Sequence, residues 1–238
     1  MKTVHTNRQR RLVLGVSFAF ILFHQADKLL IGPLTTSIME HFQIDEVQMG
    51  AINTGALIVG TLFYPIWGYL YDRYARPKLI ALASFLWGCT TWLNSIAPTF
   101  TIFAITRSST GIDDSSYPGI YSLISDHFPP KMRGKIYGLL QLSMPLGYLL
   151  GMILALVLGS MIGWRGIFYI TGASGVILAF IIFFGVKKTP RGQSEPELKG
   201  LEEIAIHNFN LQHALHLLKK PTMWLLFAQG FVNVFPWQ

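Results

Sequence analysis

Residues 12–35 read LVLGVSFAFILFHQADKLLIGPLT. A helix rising about 1.5 Å per residue needs an apolar run of this length to cross a hydrocarbon core of about 30 Å. Yet the run carries His24, Asp27 and Lys28. Asp27 lies about 15 residues in, roughly 22 Å along the helix, and so within the hydrocarbon. A charge at that depth costs about 2.5–3.5 kcal/mol even on a lenient insertion scale, so spans carry such groups mainly on pathways, relays or interior pairs. The basic start before the run (Lys2, Arg8, Arg10, Arg11) also suits a secretory signal peptide, but this run is too long and too charged for one.

The rest of the chain extends the membrane reading. Of its 238 residues 51% are hydrophobic and only 13% charged, about half the charge content of a soluble domain. Further apolar runs predict helices at 47–70, 79–97, 101–125, 136–161 and 165–186, with a seventh beginning near Met223. Pro65, Pro118 and Pro145 fall inside these runs and imply kinks supported by neighbouring helices. The fold class is all-α integral membrane, organised as a six-helix bundle over 1–187, a connector with an amphipathic segment over 188–220, and over 221–238 a seventh helix that stops at Gln238 after too few residues for a crossing. The only cysteine, Cys89, excludes a disulfide framework and reads as a small packing residue.

A net charge of +7 raises the question of nucleic acid, and the positions of the charges answer it. Of the nineteen Lys and Arg residues, sixteen precede helix 1 or follow helices 2, 4 and 6. Arg73, Arg76 and Lys78 follow helix 2, and Lys131, Arg133 and Lys135 follow helix 4. Arg165 stands alone on the other side, and Lys28 and Arg107 lie within spans. That asymmetry predicts a multi-pass cell-membrane protein with a cytoplasmic N-terminus and no nucleic-acid partner. In the connector, Leu211, Leu215 and Leu218 recur at helical spacing and suit a surface-lying segment. His213 and His216 are one turn apart without a third ligand nearby, which favours a solvated helix face over a metal site.

Five ionisable residues fall inside the spans: Asp27, Lys28, Arg107, Asp113 and Asp114. When all are ionised the group sums to −1, and a single bound proton neutralises it. Burial disfavours a charged carboxylate and a nearby cation favours it, so a group poised between the two can load and release a proton as water access changes. His24 precedes Asp27 and Lys28 by one turn on the same face and can sense or pass protons in the physiological range, or serve as a hydrogen-bonded packing residue. Spacing places Arg107 and Asp114 two turns apart on one side of helix 4 with Gly111 between them, and Asp113 about 100° away. Arg107 with an aspartate also suits an ion pair locking helices together.

The exit of helix 2 reads Gly68-Tyr-Leu-Tyr-Asp72-Arg73-Tyr-Ala75-Arg76-Pro-Lys78. It resembles the cytoplasmic signature of the major facilitator superfamily, G-x-L-x-D-R-x-G-R-[KR], with Ala75 in place of a glycine and Pro77 interrupting the basic run. Gly68 would permit close helix approach, and Asp72 at the membrane edge can accept hydrogen bonds from a neighbouring helix terminus. Arg107-x-x-x-Gly111 resembles the helix 4 motif of that superfamily. Gly138…Pro145-Leu-Gly147…Gly151 resembles the helix 5 motif of its antiporters, with Met144 where glycine is expected; small residues at this spacing are also plain packing. More narrowly, the chain resembles the Spinster-like branch: Asp27-Lys28 stands for Asp-Arg in helix 1, and Gly111-Ile-Asp-Asp114-Ser-Ser116-Tyr117 for G-x-G-E-A-S-Y in helix 4. Ile124-Ser-Asp126-His-Phe128-Pro129 and Gly163-Trp164-Arg165-x-x-Phe168 fit the same branch.

The resemblance implies twelve helices in two halves with solute bound between them, so a C-terminal six-helix half is expected as a missing partner. It implies proton coupling through Asp27 and Asp114, and it hints at lysolipid or sphingoid solutes. The expected function is secondary active transport of a small organic or amphipathic solute, with the lipid bilayer and protons as the other partners. Phe18, Phe20, Phe23, Trp67 and Tyr117 lie on spans where aromatics line cavities or face lipid. A non-transporting six-helix unit, receptor-like or scaffolding, or an inactive transporter fragment, is the alternative. An enzyme is the weakest candidate, since the cytoplasmic segments show no metal-ligand cluster, no nucleophile with a base and no phosphate-binding loop; no cofactor is expected.

Overall fold

The structure is a computed structural model and describes residues 7–189, 194, 216 and 219–234. The chain divides into two compact units, Met1–Ile204 and Ala205–Gln238. The first is a helical bundle. Its elements are α1 (Asn7–Leu29), α2 (Ile31–Phe42), α3 (Glu46–Arg73), α4 (Arg76–Ile96), α5 (Phe100–Ser108), α6 (Gly111–Asp114) and α7 (Pro118–His127), followed by the helical stretch Pro130–Gly185. That stretch breaks at Gly163, whose φ of 67° and ψ of 170° a side chain would disfavour, giving α8 (130–162) and α9 (164–185). In the second unit, α10 spans Pro221–Val234.

These elements make six crossings. Asn7–Phe42, Glu46–Arg73, Arg76–Ile96 and Pro130–Gly185 are each long and apolar enough to cross a membrane by length and composition, and the last contains two crossings separated at Gly163. Segment 100–127 supplies the remaining one in three pieces. The expected continuous helix 4 is thus broken: Ser109 and Thr110 separate α5 from α6, and Ser115 to Tyr117 separate α6 from α7. Pro118 accordingly sits in the first turn of α7 rather than inside a helix, where its missing N–H costs nothing. Pro65 and Pro145 do lie inside α3 and α8.

Helix 1 runs past its apolar stretch. Thr35, Thr36, Ser37, Glu40 and His41 end the hydropathic signal, but the helix continues to Phe42 and stops at Gln43 in a left-handed conformation. Pro33, which has no N–H to donate four residues back, coincides with the discontinuity at Leu30 between α1 and α2. A reciprocal capping box then starts α3: Gln48 N–H donates to Asp45 at 2.8 Å, and Asp45 N–H donates to Gln48 Oε1 at 3.1 Å.

Two apolar clusters occupy opposite ends of the bundle. One gathers Val13, Phe20, Trp67, Leu79, Ile80, Ile124, Ile136, Leu140 and Ile182. The other gathers Leu30, Ile38, Met49, Ile52, Phe103, Ala155, Trp164, Ile167 and Phe168. Each crossing contributes to both, and most of the buried polar residues fall in the stretches between, including His24 and Asp27, Ser84 and Thr91, Arg107, Asp113, Ser143 and Thr171, while Ser17, Asp126 and His127 lie nearer one end. The bundle therefore has a polar belt at mid-height. Small residues bring the helices close there. A Cβ on Gly151 would stand 2.6 Å from the Ala26 carbonyl oxygen, and one on Gly147 would collide with the Leu22 carbonyl, so α8 lies directly on α1. Gly111 meets the Gly60 amide of α3 in the same way, at 2.6 Å, and Gly88 meets the Gly172 carbonyl of α9 at 2.7 Å.

Candidate functional site

The belt joins residues from four crossings into three linked groups. In the first, Asp27 on α1 is almost fully buried, at 2% exposure. Arg107 Nη1 of α5 donates to its Oδ2 at 3.3 Å, Thr91 of α4 donates to the same oxygen at 3.1 Å, and Thr171 of α9 donates to Oδ1 at 2.6 Å. Four helices thus converge on one carboxylate. Arg107 Nη2 also donates to the carbonyls of Asp27 (3.2 Å) and Lys28 (3.0 Å), at the end of α1 where the helix is about to break. Its guanidinium lies 5.4 Å from the ring centroid of Phe168, so both its charge and its face are used.

The second group is an ion pair on a more open face. Lys28 Nζ lies 2.7 Å from Asp114 Oδ2, with the two side chains 49% and 20% exposed. Arg107 and Asp114 both face α1, as their spacing on one side of the fourth crossing suggests, but each binds a different neighbour there, Asp27 and Lys28.

The third group is His24 with Asp113. His24 Nε2 lies 2.7 Å from Asp113 Oδ2, and both side chains are buried. Its Nδ1 lies 3.0 Å from the Tyr117 hydroxyl and 3.7 Å from Asp114 Oδ1. The imidazole stacks on Phe20 with centroids 5.5 Å apart and meets Trp87 edge-on at 5.2 Å. Asp113 Oδ1 is buried and has no hydrogen-bond partner among the described residues. All six charged or titratable residues expected to act together do share this belt. The threonine hydroxyls that hold Asp27 were not expected, because a threonine in an apolar helix carries no signal of its own; only the packing of α4 and α9 against α1 reveals Thr91 and Thr171.

The helix 2 exit is arranged at one end of the bundle, away from the belt. Arg76 Nη1 lies 2.5 Å from Asp126 Oδ2 and donates to the Ser122 carbonyl at 3.2 Å, tying the start of α4 to the end of α7. Arg73 stacks 4.8 Å over the ring of Tyr69. Gly68 and Asp72 are both exposed. Among the described residues nothing packs within 4 Å of a Cβ position at Gly68, so none of them makes the close approach expected there. Beside Arg76, Arg10 donates to the His127 carbonyl at 3.0 Å and Thr189 meets His127 Nε2 at 3.1 Å, which gathers α1, α7 and the segment after α9. In the connector, His216 is helical and exposed; Leu211, His213, Leu215 and Leu218 lie outside the described residues.

The comparisons with known proteins agree with this architecture. Protein spinster of Drosophila melanogaster is 33% identical over 176 residues, which is 73% of this chain and 29% of that protein. The sphingosine-1-phosphate transporter of Xenopus tropicalis is 28% identical over 178 residues, covering 73% of this chain and 34% of that protein. The crystal structure of a bacterial homologue of the human lysosomal transporter Spinster, inward-facing and occupied, superposes with a TM-score of 0.72 at 21% identity, over 82% of this chain and 48% of that one. The chain thus spans about a third of the curated relatives and half of the solved fold. With its six crossings and a profile match to the Major Facilitator Superfamily over residues 16–237, the chain is a multi-pass membrane protein that belongs to that superfamily and resembles its Spinster branch.

Proposed function

We propose that this chain is the N-terminal half of a proton-coupled secondary transporter, moving an amphipathic, lipid-like solute past the belt by alternating access. The observation that carries the proposal is the belt itself. A membrane bundle that needed only stability would bury apolar groups at mid-height, because buried ionised pairs rarely stabilise relative to hydrophobic replacements. Here three carboxylates, a lysine, an arginine and a histidine lie there instead, and one of the pairs, Lys28–Asp114, reaches a half-open face. Such groups inside a membrane mark solute or ion pathways. A relative named as a sphingosine-1-phosphate transporter supports a solute with an apolar tail and an anionic head.

On this reading the bundle of 1–187 rocks against a second six-helix half, 188–220 connects the halves on the cytoplasmic side, and 221–238 begins the next helix. The N-terminus is cytoplasmic on this reading, which the distribution of Lys and Arg supports. Gly68, Asp72, Arg73 and Arg76 act as the conformational gate: the exposed Gly68 and Asp72 face the second half, and Arg76 anchors the gate to Asp126. Gly111 keeps α6 against α3, and Pro145, Gly147 and Gly151 keep α8 against α1, as the halves move.

The test reconstitutes the full-length protein in proteoliposomes and follows sphingosine-1-phosphate uptake with and without an imposed pH gradient. Uptake is expected to respond to the gradient, and Asp114→Asn to remove the response without lowering the amount of folded protein. Gradient-independent uptake would refute proton coupling. An Asp114→Asn effect confined to abundance, with flux per folded molecule unchanged, would favour a scaffolding role.

A further inference from the structure

Charge balance within the belt singles out one group. Asp27 is matched by Arg107 and Asp114 by Lys28, which among the described residues leaves Asp113 paired with a histidine alone. Asp113 is also the acid that stands where the Spinster-like pattern G-x-G-E-A-S-Y has its second glycine. We infer that the His24–Asp113 pair is the proton-binding site of this protein, loaded through Asp114, while Asp27–Arg107 is a fixed clamp. The inference rests on the proton-coupled reading above and assigns the proton to a particular pair.

The geometry accommodates two protonation states without moving a heavy atom. In the first, the Tyr117 hydroxyl donates to His24 Nδ1 across 3.0 Å and Nε2–H donates to an ionised Asp113 across 2.7 Å. In the second, Asp113 is protonated and donates to Nε2, and Nδ1–H donates to the Tyr117 oxygen. Tyrosine and imidazole can each act as donor or acceptor, so both states satisfy every hydrogen between the three groups. They differ by one proton. The first leaves the belt at −1, the second at zero.

A path between them is also present. Asp114 Oδ1 lies 3.7 Å from His24 Nδ1, and Asp114 reaches the partly open face beside Lys28. A proton passing from the Asp114 carboxyl to Nδ1 displaces the Nε2 proton onto Asp113 Oδ2. The ring ends as the opposite neutral tautomer, the Asp114 carboxylate is restored, and Asp113 has gained one proton. Tyr117 turns its hydroxyl hydrogen away in the same step. Buried Oδ1 of Asp113, without a partner among the described residues, belongs to a group whose charged state is poorly compensated, as expected of a carboxyl that spends part of the cycle neutral.

Other groups around the pair are already matched. Asp27 and Lys28 lie on α1, Arg107 on α5 and Asp114 on α6, all in the two ion pairs. Tyr117 contacts the imidazole directly, Tyr64 of α3 faces Asp114 and Lys28, and α4 presents Trp87. Among the described residues α8 and α9 bring no charged side chain to the belt.

The experiment counts protons taken up by the full-length protein, reconstituted in phosphatidylcholine vesicles, between about pH 8 and pH 5, with wild type compared to Asp113→Asn. The expected difference is about one proton per chain, with both proteins equally folded by gel filtration. His24→Gln provides the second readout: infrared difference spectra should then show Asp113 as a carboxylic acid across this range, since a lone buried carboxyl has lost its base. Equal proton uptake by wild type and Asp113→Asn would overturn the assignment. If pH-driven sphingosine-1-phosphate uptake by wild type persists in that case, only the assignment falls and the proton belongs to Asp27 or Asp114. If it is absent as well, the proton-coupled reading falls with it.

Discussion

Replacing Arg107 with methionine removes the cation from Asp27 and keeps most of the side chain's length. Both partners are buried, at 5% and 2% exposure, so water cannot take over. Asp27 retains its hydroxyl donors, Thr91 and Thr171, but these do not cancel its charge, and the carbonyls of Asp27 and Lys28 lose a donor at the break between α1 and α2. Breaking a buried pair on one side costs about 3–5 kcal/mol. For a chain of this size each kcal/mol lowers a melting midpoint by about 2–4 °C, so Arg107→Met is expected to lose roughly 10 °C. Asp27→Asn with Arg107→Met removes the orphaned charge and should recover at least half of that. The assay is thermal unfolding of detergent-solubilised protein followed by fluorescence-detected gel filtration. A single variant within about 2 °C of wild type, or a double variant that simply sums the two losses, would refute the role of Asp27–Arg107 as a clamp.

Two further outcomes follow from the packing and from the charge distribution. Gly151→Leu places a branched side chain where even a Cβ would stand 2.6 Å from the Ala26 carbonyl; it should cost more than the 1–3 kcal/mol typical of overpacking, roughly 4 kcal/mol, read as lost folded yield, while Gly138→Leu, with open space around it, should be tolerated. Arg165→Cys in a Cys89→Ala background should be labelled in intact cells by a membrane-impermeant maleimide, and Lys135→Cys only after the membrane is permeabilised; the reverse pattern would invert the topology.

The crossings were legible in the sequence because each is an apolar run near the required length, and the Gly163-Trp164-Arg165 break fell between two of them as expected. Helix ends were less legible, since a helix need not stop where lipid does: Thr35 to Phe42 are helical although polar residues end the hydropathic signal. The candidate site was legible as a set of residues and illegible as a set of pairs. Charges inside an apolar run announce themselves, so Asp27, Lys28, Arg107, Asp113 and Asp114 were identifiable one by one. Partner choice depends on how α1 lies against the fourth crossing, which spacing along one helix does not give. Arg107 and Asp114 were placed on one side by their spacing, and only the packing shows that they meet Asp27 and Lys28 of α1. The same limit applies to Gly68, which has no close neighbour among the described residues, and to Thr91 and Thr171, which acquire meaning only from the carboxylate between them.

On the proposed function, solute and protons cross together. Its most direct test loads proteoliposomes containing the full-length protein with a pH-sensitive dye, adds sphingosine-1-phosphate without any imposed gradient, and records internal pH alongside uptake. A change in internal pH that begins with uptake and disappears in Asp114→Asn is the predicted result, its sign separating symport from antiport. Sphingosine-1-phosphate accumulation with no change in internal pH would contradict the account.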